Sequence, residues 1–384
     1  MSSDNISGAR ARRRWPRVLL GILMLLLVAG VAAFELYRPA PRALRNGGEP
    51  MQAIVYHEYG PPQVLRLEVI DRPVPKDNQV LLEVRASAVN PLDWHYMRGD
   101  PYVIRLEEGL HQPEDPQLGT DVAGVVVGVG RSVTRFKLGD EVYGVGAGAF
   151  AEYARASEKR IALKPAALTF EQAAVMPIAA ITALQALRDT GKIKIGQKVL
   201  INGASGGVGT FAVQIAKSYG ADVTGVCSTR NVELVRSLGA DHVIDYSKED
   251  FTRGDVRYEV ILDTVGNRSL SDLRRALTPK GIYIGIGGGS PADGGLIGPL
   301  KGMLKEFVVS PFVSQDLTTM MAEITSADLA VLNQLVEANK LTPVIDRTYP
   351  LKDVPEAVRY LEQGHARGKV SISVAARQAQ PAMQ

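Results

Sequence analysis

Cysteine occurs once in the 384 residues, at Cys227, and histidine five times. One thiol excludes an intrachain disulfide and any zinc site built from spaced cysteines. A catalytic metal would need His and carboxylate ligands drawn from that small stock. A basic excess is missing as well: the formal charge is +3, but the first 49 residues carry eight Arg or Lys against three acids, which leaves −2 on the rest. The folded part therefore offers no footing for nucleic acid. What is present, 46% hydrophobic and 22% charged residues, is the balance of a chain that builds real cores. At about 150 residues per domain it holds two or three of them.

Long apolar runs are scarce too. The clearest, residues 18–34, lies between Arg17 and Glu35 and can extend through Leu36 and Tyr37. Arg10, Arg12, Arg13, Arg14 and Arg17 precede it, with Trp15 at a position suited to an interface. This run sits at the short end of the ~20 residues that span a bilayer. The pattern predicts a basic arm over 1–17, one transmembrane anchor over 18–37 in contact with the lipid bilayer, and a linker over 38–50. A cleaved signal peptide, or a twin-arginine export signal through Arg13 and Arg14, is the alternative. The apolar stretch is longer than a usual signal core.

From Met51 short alternating segments predict strands over 52–56, 64–69, 79–88, 123–129, 141–145 and 149–154, each bounded by Gly, Pro or Asp. Close spacing of that kind suggests a barrel-like β-rich unit. After Pro165 the period becomes helical over 170–176 and 178–187. Strands and helices then alternate through residues 198–286, which predicts a doubly wound parallel sheet with helices on both faces. The chain closes with an extended segment over 348–350, an amphipathic helix over 354–363 and a strand over 369–374.

Residues 198–202 read as a buried strand that runs into Gly203, Ala204, Ser205, Gly206, Gly207, Val208 and Gly209 ahead of a helix. This is a dinucleotide fingerprint with Ala204 at its first glycine position. Gly206 lets the backbone approach a pyrophosphate, Gly209 lets the helix pack close on the strand, and the helix N-terminus meets the phosphate charge. At the end of the next strand an NAD site places Asp or Glu on the ribose hydroxyls. Here the chain reads Cys227, Ser228, Thr229, Arg230. Ser228 and Arg230 suit a 2′-phosphate, because guanidinium pairs with phosphate oxygens as a fork. NADP(H) is expected over NAD(H).

Residues 196–217, with Asn90 to Asp93, Gly119 to Gly124, Gly139 to Gly144 and Ala180 to Leu187, resemble the medium-chain dehydrogenase/reductase superfamily, in its zinc-independent quinone oxidoreductase (zeta-crystallin-like) branch. The resemblance implies an α/β chain: a GroES-like catalytic domain over 51–176 and 313–374, a Rossmann NADP-binding domain over 177–312, and a tail over 375–384. It further implies that Tyr56, Asn90 and Asp93 line the cleft, with Tyr56 donating to the substrate oxygen, Asn90 orienting, and Asp93 fixing the loop or the cofactor ribose. Thr182 would lie near the nicotinamide amide, Tyr246 against the adenosine, Gly285 and Gly287 near the nicotinamide, and Lys369 near the cofactor phosphates or ribose.

Zinc-dependent relatives carry Cys where Asn90 stands and His-Glu where Thr120 and Asp121 stand. Asp93, Asp121, His57 and His95 could in principle form a metal site, but paired charges in loops are commoner, and no zinc is expected. Alcohol oxidation in the zinc enzymes relies on the metal to lower the alcohol's pKa. A conjugated acceptor needs less, because charge on its oxygen needs only hydrogen-bond donors. The expected reaction is hydride transfer from NADPH to a small apolar quinone, enone or enal. An NAD(P)-dependent alcohol dehydrogenase and an NADPH-binding protein with little catalysis are the alternatives. The apolar stripe over 296–312 reads as a packed helix or a dimer surface rather than a lid, so a homodimer is among the expected partners. Five Arg before the apolar run and three after it favour an exported catalytic part. The need for NADPH favours the opposite, and a single-pass membrane protein with its catalytic part on the cytoplasmic side is expected.

Overall fold

The computed structural model describes residues 44–45, 47–286 and 314–375. Outside them lie the segments 1–43 and 287–313, hence the anchor over 18–37, Gly287 and the stripe over 296–312. The chain begins with an antiparallel pair, β1 (Pro50–Val55) and β2 (Arg66–Asp71), in which Met51 faces Ile70. The predicted second strand starts late because Pro62–Val64 forms a 3-10 turn first. β3 (Gln79–Val89) is the long centre of the first sheet, and most of its residues are buried. At Asn90-Pro91, where no helix is expected from the sequence, α1 (Pro91–Arg98) begins. Proline suits its first turn, and Gly99, at φ +58°, ends it in the left-handed conformation.

After α2 (Ile104–Glu108), β4 (Asp121–Val129) pairs antiparallel with β3, so that Ala88 faces Asp121. β5 (Glu141–Val145), β6 (Tyr153–Ser157) and β7 (Ile161–Leu163) complete this side. The strand expected over 149–154 is displaced. Ala149 and Phe150 spend their backbone N–H groups on Gly119 and Leu118, next to Gly148 at φ +69°, and the regular ladder starts only at Tyr153.

α3 (Phe170–Ala174) is capped reciprocally by Thr169 and Gln172. It leads to α4 (Pro177–Gln185), whose small residues Ala179, Ala180 and Ala183 are buried in the core that joins both sheets. The second sheet follows from β8 (Lys198–Asn202), α5 (Gly207–Ser218), β9 (Asp222–Cys227), α6 (Val232–Ser237), β10 (His242–Asp245), β11 (Tyr258–Asp263), α7 (Leu270–Ala276), β12 (Leu277–Ile286) and β13 (Asp316–Met320). Its six strands are all parallel, in the order β10-β9-β8-β11-β12-β13. Ile282 pairs with Asp316, so the parallel sheet extends past 312, the expected end of the Rossmann part. α8 (Ser326–Glu337) then packs beside β5: the Tyr143 hydroxyl donates to Asn333 Oδ1 at 2.6 Å and to the Leu329 carbonyl at 3.2 Å. Only β14 (Ile345–Pro350), α9 (Val354–Glu362) and β15 (Lys369–Ser373) return to the first sheet, where Val370 faces Val89. A GroES-like β-rich unit and a Rossmann-type sheet are both present.

Candidate active site

In a doubly wound sheet, ligands bind beyond the carboxyl ends of the strands, where the order reverses. That point here lies between β8 and β11. Asn202, the last residue of β8, donates to Asp263 Oδ1 at 2.9 Å and Asn267 Oδ1 at 3.1 Å, and the Thr264 hydroxyl returns a bond to the Asn202 carbonyl at 2.9 Å. Asp263 also accepts from the amides of Val265 and Gly266, each at 3.0 Å. None of these residues is visible as a site from the sequence, because they meet only once β8 and β11 pair.

The glycine-rich turn springs from this edge. Gly203 adopts φ +84°, where a side chain would meet Val265 at 2.8 Å. A Cβ at Gly209 would approach Ala204 Cα to 2.8 Å, so close packing of α5 on β8 requires glycine there. At Gly206 a Cβ would find only the Gly203 oxygen, at 3.3 Å. That open face beside the amides of Gly207 and Val208 at the N-terminus of α5 fits a pyrophosphate. Ala204, fully buried, stands where a first glycine is usual. Its methyl lies 3.0 Å from the Cβ that Gly225 lacks, so a glycine on β9 makes the room that the alanine uses.

At the ribose corner, Asn231 donates to Ser205 Oγ at 2.9 Å and Ser228 Oγ at 3.2 Å, fixing both hydroxyls, while among the described residues its own buried Oδ1 has no partner. Arg230 uses one nitrogen on the His365 carbonyl at 2.7 Å, and Tyr246 is 51% exposed, which leaves its ring face available for stacking. Thr182 on α4 donates its hydroxyl to the Ile178 carbonyl at 2.7 Å and keeps a lone pair for an amide donor. Gly285 sits on β12 opposite Asp263.

Beside the turn lies a buried polar cluster. Asn90, the N-cap residue of α1, does not cap with its side chain. Its Nδ2 donates to Asp121 Oδ2 at 2.9 Å, and Asp93 reaches back to accept from the Asn90 amide at 2.7 Å. Asp121 Oδ1 accepts from the Ile178 amide at 3.0 Å, tying β4 to α4. Lys369, expected near the cofactor phosphates or ribose, sends its ammonium to Asp121 Oδ2 at 3.4 Å, to the Val89 carbonyl at 3.1 Å and to Asn90 Oδ1. A desolvated ammonium needs a carboxylate, and Asp121 supplies it.

The other metal candidates do not join this cluster. His57 pairs with Glu68 at 3.2 Å and His95 with the Asp100 carbonyl at 2.6 Å. Among the described residues no three His, Cys, Asp or Glu side chains stand together as a metal site. Tyr56, 1% exposed, packs edge-on to Tyr59 at 6.3 Å between centroids. Burial first, then the acids Glu108 and Asp115, raise its phenol above the usual range, so it stays a donor.

Burial also pushes the Asp93 carboxyl up to about 7, against the backbone amides of Asn90 and Gly119 and the charge of Lys369. In the unfolded chain this group ionises near pH 4. As pH rises from about 4 to about 7 the unfolded state sheds its proton while the folded state keeps it, so stability falls across that window and levels off above it. Asp93→Asn cannot ionise and should flatten the fall of the melting midpoint with rising pH. An unchanged slope would mean that Asp93 is already ionised in the fold.

Residues 76–166 match the family described as alcohol dehydrogenase GroES-like domain, and residues 238–372 that described as zinc-binding dehydrogenase. NAD(P)H oxidoreductase RTN4IP1, mitochondrial, of Bos taurus is 36% identical over 362 residues, covering 84% of this chain and 89% of that protein. NADPH-dependent alkenal/one oxidoreductase, chloroplastic, of Arabidopsis thaliana is 36% identical over 341 residues, covering 84% and 79%. The quinone oxidoreductase from Coxiella burnetii superposes with a TM-score of 0.75 at 31% identity, over 85% of this chain and all of that one.

One relative is named mitochondrial and the other chloroplastic, and among the described residues no helix is long and apolar enough to cross a membrane. These findings correct the expected single-pass membrane placement with its catalytic part on the cytoplasmic side. The span assigned to the anchor, 18–37, lies outside the described residues. The chain belongs to the medium-chain dehydrogenase/reductase superfamily, in its quinone oxidoreductase-like branch, and is an NAD(P)H-dependent oxidoreductase.

Proposed function

We propose that the protein reduces a small apolar quinone, enone or enal with NADPH and without zinc. The observation that carries this reading is the contact between the glycine-rich turn and the buried Asn90 cluster: Gly206 bridges to Gly368, and the Gly368 amide donates to the Ser205 carbonyl at 2.8 Å. A cofactor turn and a buried polar cluster without thiolate or imidazole are thereby held side by side.

The turn from Ala204 to Gly209 would hold the pyrophosphate, Ser228 and Arg230 the 2′-phosphate, Tyr246 the adenine, and Thr182 and Gly285 the nicotinamide end. NADPH, when bound, supplies the hydride. The chain's own part is to receive charge on the acceptor oxygen, for which Tyr56 is the donor, and to orient the acceptor through Asn90, which Asp93 holds from the backbone side. Asn90, Thr120 and Asp121 occupy the positions of zinc ligands and provide one carboxylate among them. An amide and a hydroxyl are poor zinc ligands, and Asp121 is already spent on Lys369, Asn90 and Ile178. These relatives' names, an alkenal/one oxidoreductase and a quinone oxidoreductase, support the acceptor class.

NADPH oxidation measured against quinones, enones, enals and saturated ketones tests the reading. Turnover is expected with the conjugated acceptors and not with saturated ketones. Activity should survive exhaustive chelation. A stoichiometric metal whose removal abolishes turnover would restore the alcohol dehydrogenase alternative, and NADPH binding with no turnover would leave only the binding protein.

A further inference from the structure

We propose that the Lys369 ammonium is the fixed internal cation of the acceptor pocket, a positioning residue that sets the orientation of Asn90 and Asp121 and ties it to the glycine-rich turn. The inference rests on the function proposed above. Three oxygens from two separate stretches of backbone converge on one nitrogen: the Val89 carbonyl at the end of β3 and the side-chain oxygen of its neighbour Asn90, and Asp121 Oδ2 at the start of β4. Val89, Asn90, Asp121 and Lys369 are 1%, 2%, 0% and 4% exposed. An oxygen cradle with one carboxylate suits a small hard cation, and here the cation is attached to the chain. An ammonium has three donors and no acceptor, and each of the three finds an oxygen.

This arrangement decides which way Asn90 faces. With the ammonium on one side and a carboxylate on the other, only one amide orientation satisfies both: Oδ1 accepts from Lys369, and Nδ2 donates to Asp121 and to the Ala88 carbonyl at 3.3 Å. Without the cation Oδ1 loses this donor, and Asp121 and the Ala88 carbonyl alone hold the amide through Nδ2. The lysine stem completes the link. It leaves β15 immediately after Gly368, and a Cβ on Gly207 would stand 3.1 Å from Lys369 Cδ. The stem therefore lies against the turn, while the head lies in the buried cluster with Asn90 and Asp121.

The full chain carrying Lys369→Ala tests this with methylammonium as the probe. In assays with an enone, kcat should fall about tenfold or more while the Kd for NADPH, from fluorescence titration, changes less than about threefold. Methylammonium should restore much of the lost kcat to Lys369→Ala and none to Lys369→Met, whose side chain fills the space. Without any turnover, methylammonium should raise the melting midpoint of Lys369→Ala by several degrees and leave the wild type and Lys369→Met unmoved. Lost NADPH affinity with unchanged kcat would make Lys369 a direct cofactor ligand and overturn the proposal, as would the absence of both rescue and thermal shift.

Removing one member of a buried pair strands the other, so Lys369→Met with Asp121→Asn serves as the second variant. It carries no uncompensated charge and should fold and bind NADPH yet remain slow; wild-type kcat in it overturns the proposal even where Lys369→Ala does not fold. A wild type inactive on every acceptor, with the thermal shift as expected, refutes the proposed function and supports the cradle. An active wild type without shift or rescue does the reverse.

Discussion

Replacing Arg230 with alanine should raise the KM for NADPH by about 5- to 150-fold, the equivalent of about 1 to 3 kcal/mol for a lost charge-assisted bond, and leave that for NADH within about twofold. Arg230 stands just past the end of β9, where an acid would select NAD, and among the described residues one of its nitrogens is engaged, by the His365 carbonyl. The remaining nitrogens can fork a phosphate. Asp245, at the end of β10 beside Thr229, is an acid at this edge, and it is occupied. The Thr229 hydroxyl first, and then Ser247 and Lys248, hold its carboxyl well below the usual carboxylate range. So surrounded, it is not available to the ribose hydroxyls. Arg230→Lys should recover only part of the affinity, since a point charge lacks the planar fork. Equal losses for NADPH and NADH would show that Arg230 acts through its tether to the loop at His365 rather than through the cofactor.

The legibility of this site in the sequence follows the distance over which each feature is encoded. The glycine-rich turn is local: strand, turn and helix are contiguous, and Gly209 needs only its own strand and helix to be explained. The use of Gly225 as room for Ala204 is not local, and it emerges only when β8 and β9 pair. The same holds for Asn202, Asp263 and Asn267, ordinary polar residues until two strands bring them to one edge. α1 is not legible because Asn90-Pro91 satisfies the rules for a turn and for a helix start alike, and the bond from the Asn90 amide to Asp93 fits either. Lys369 is the extreme case. Its partner Asp121 lies 248 residues earlier, and nothing near residue 369 distinguishes a lysine that meets phosphate from one that meets a buried carboxylate. The strand β13 was missed for another reason: it follows the 287–313 segment, whose glycines and prolines suggested that the alternating pattern had ended.

Tyr56→Phe should lower kcat with an enone or quinone by about 10²- to 10³-fold, the cost of removing one preorganised donor to a developing oxyanion, while the Kd for NADPH stays within about twofold. The ring is nearly fully buried, so phenylalanine keeps its packing against Tyr59 and the surrounding core. Among the described residues the Tyr56 hydroxyl has no hydrogen-bond partner in the fold, so its removal strands no buried group and should cost little stability. The phenol is also held in its protonated form by burial and by the nearby acids Glu108 and Asp115. It therefore donates across the whole accessible pH range, and no loss of rate at high pH should be traceable to it. Charge on the acceptor oxygen develops only as hydride arrives at carbon, so the bond strengthens in the transition state and shows in kcat rather than in cofactor affinity. The contrast with Arg230→Ala is the sharper test of the pair: one variant should move KM for a single cofactor, the other kcat with either. A Tyr56→Phe protein with unchanged kcat would return Tyr56 to the core as a packing residue and leave Asn90 to meet the acceptor oxygen.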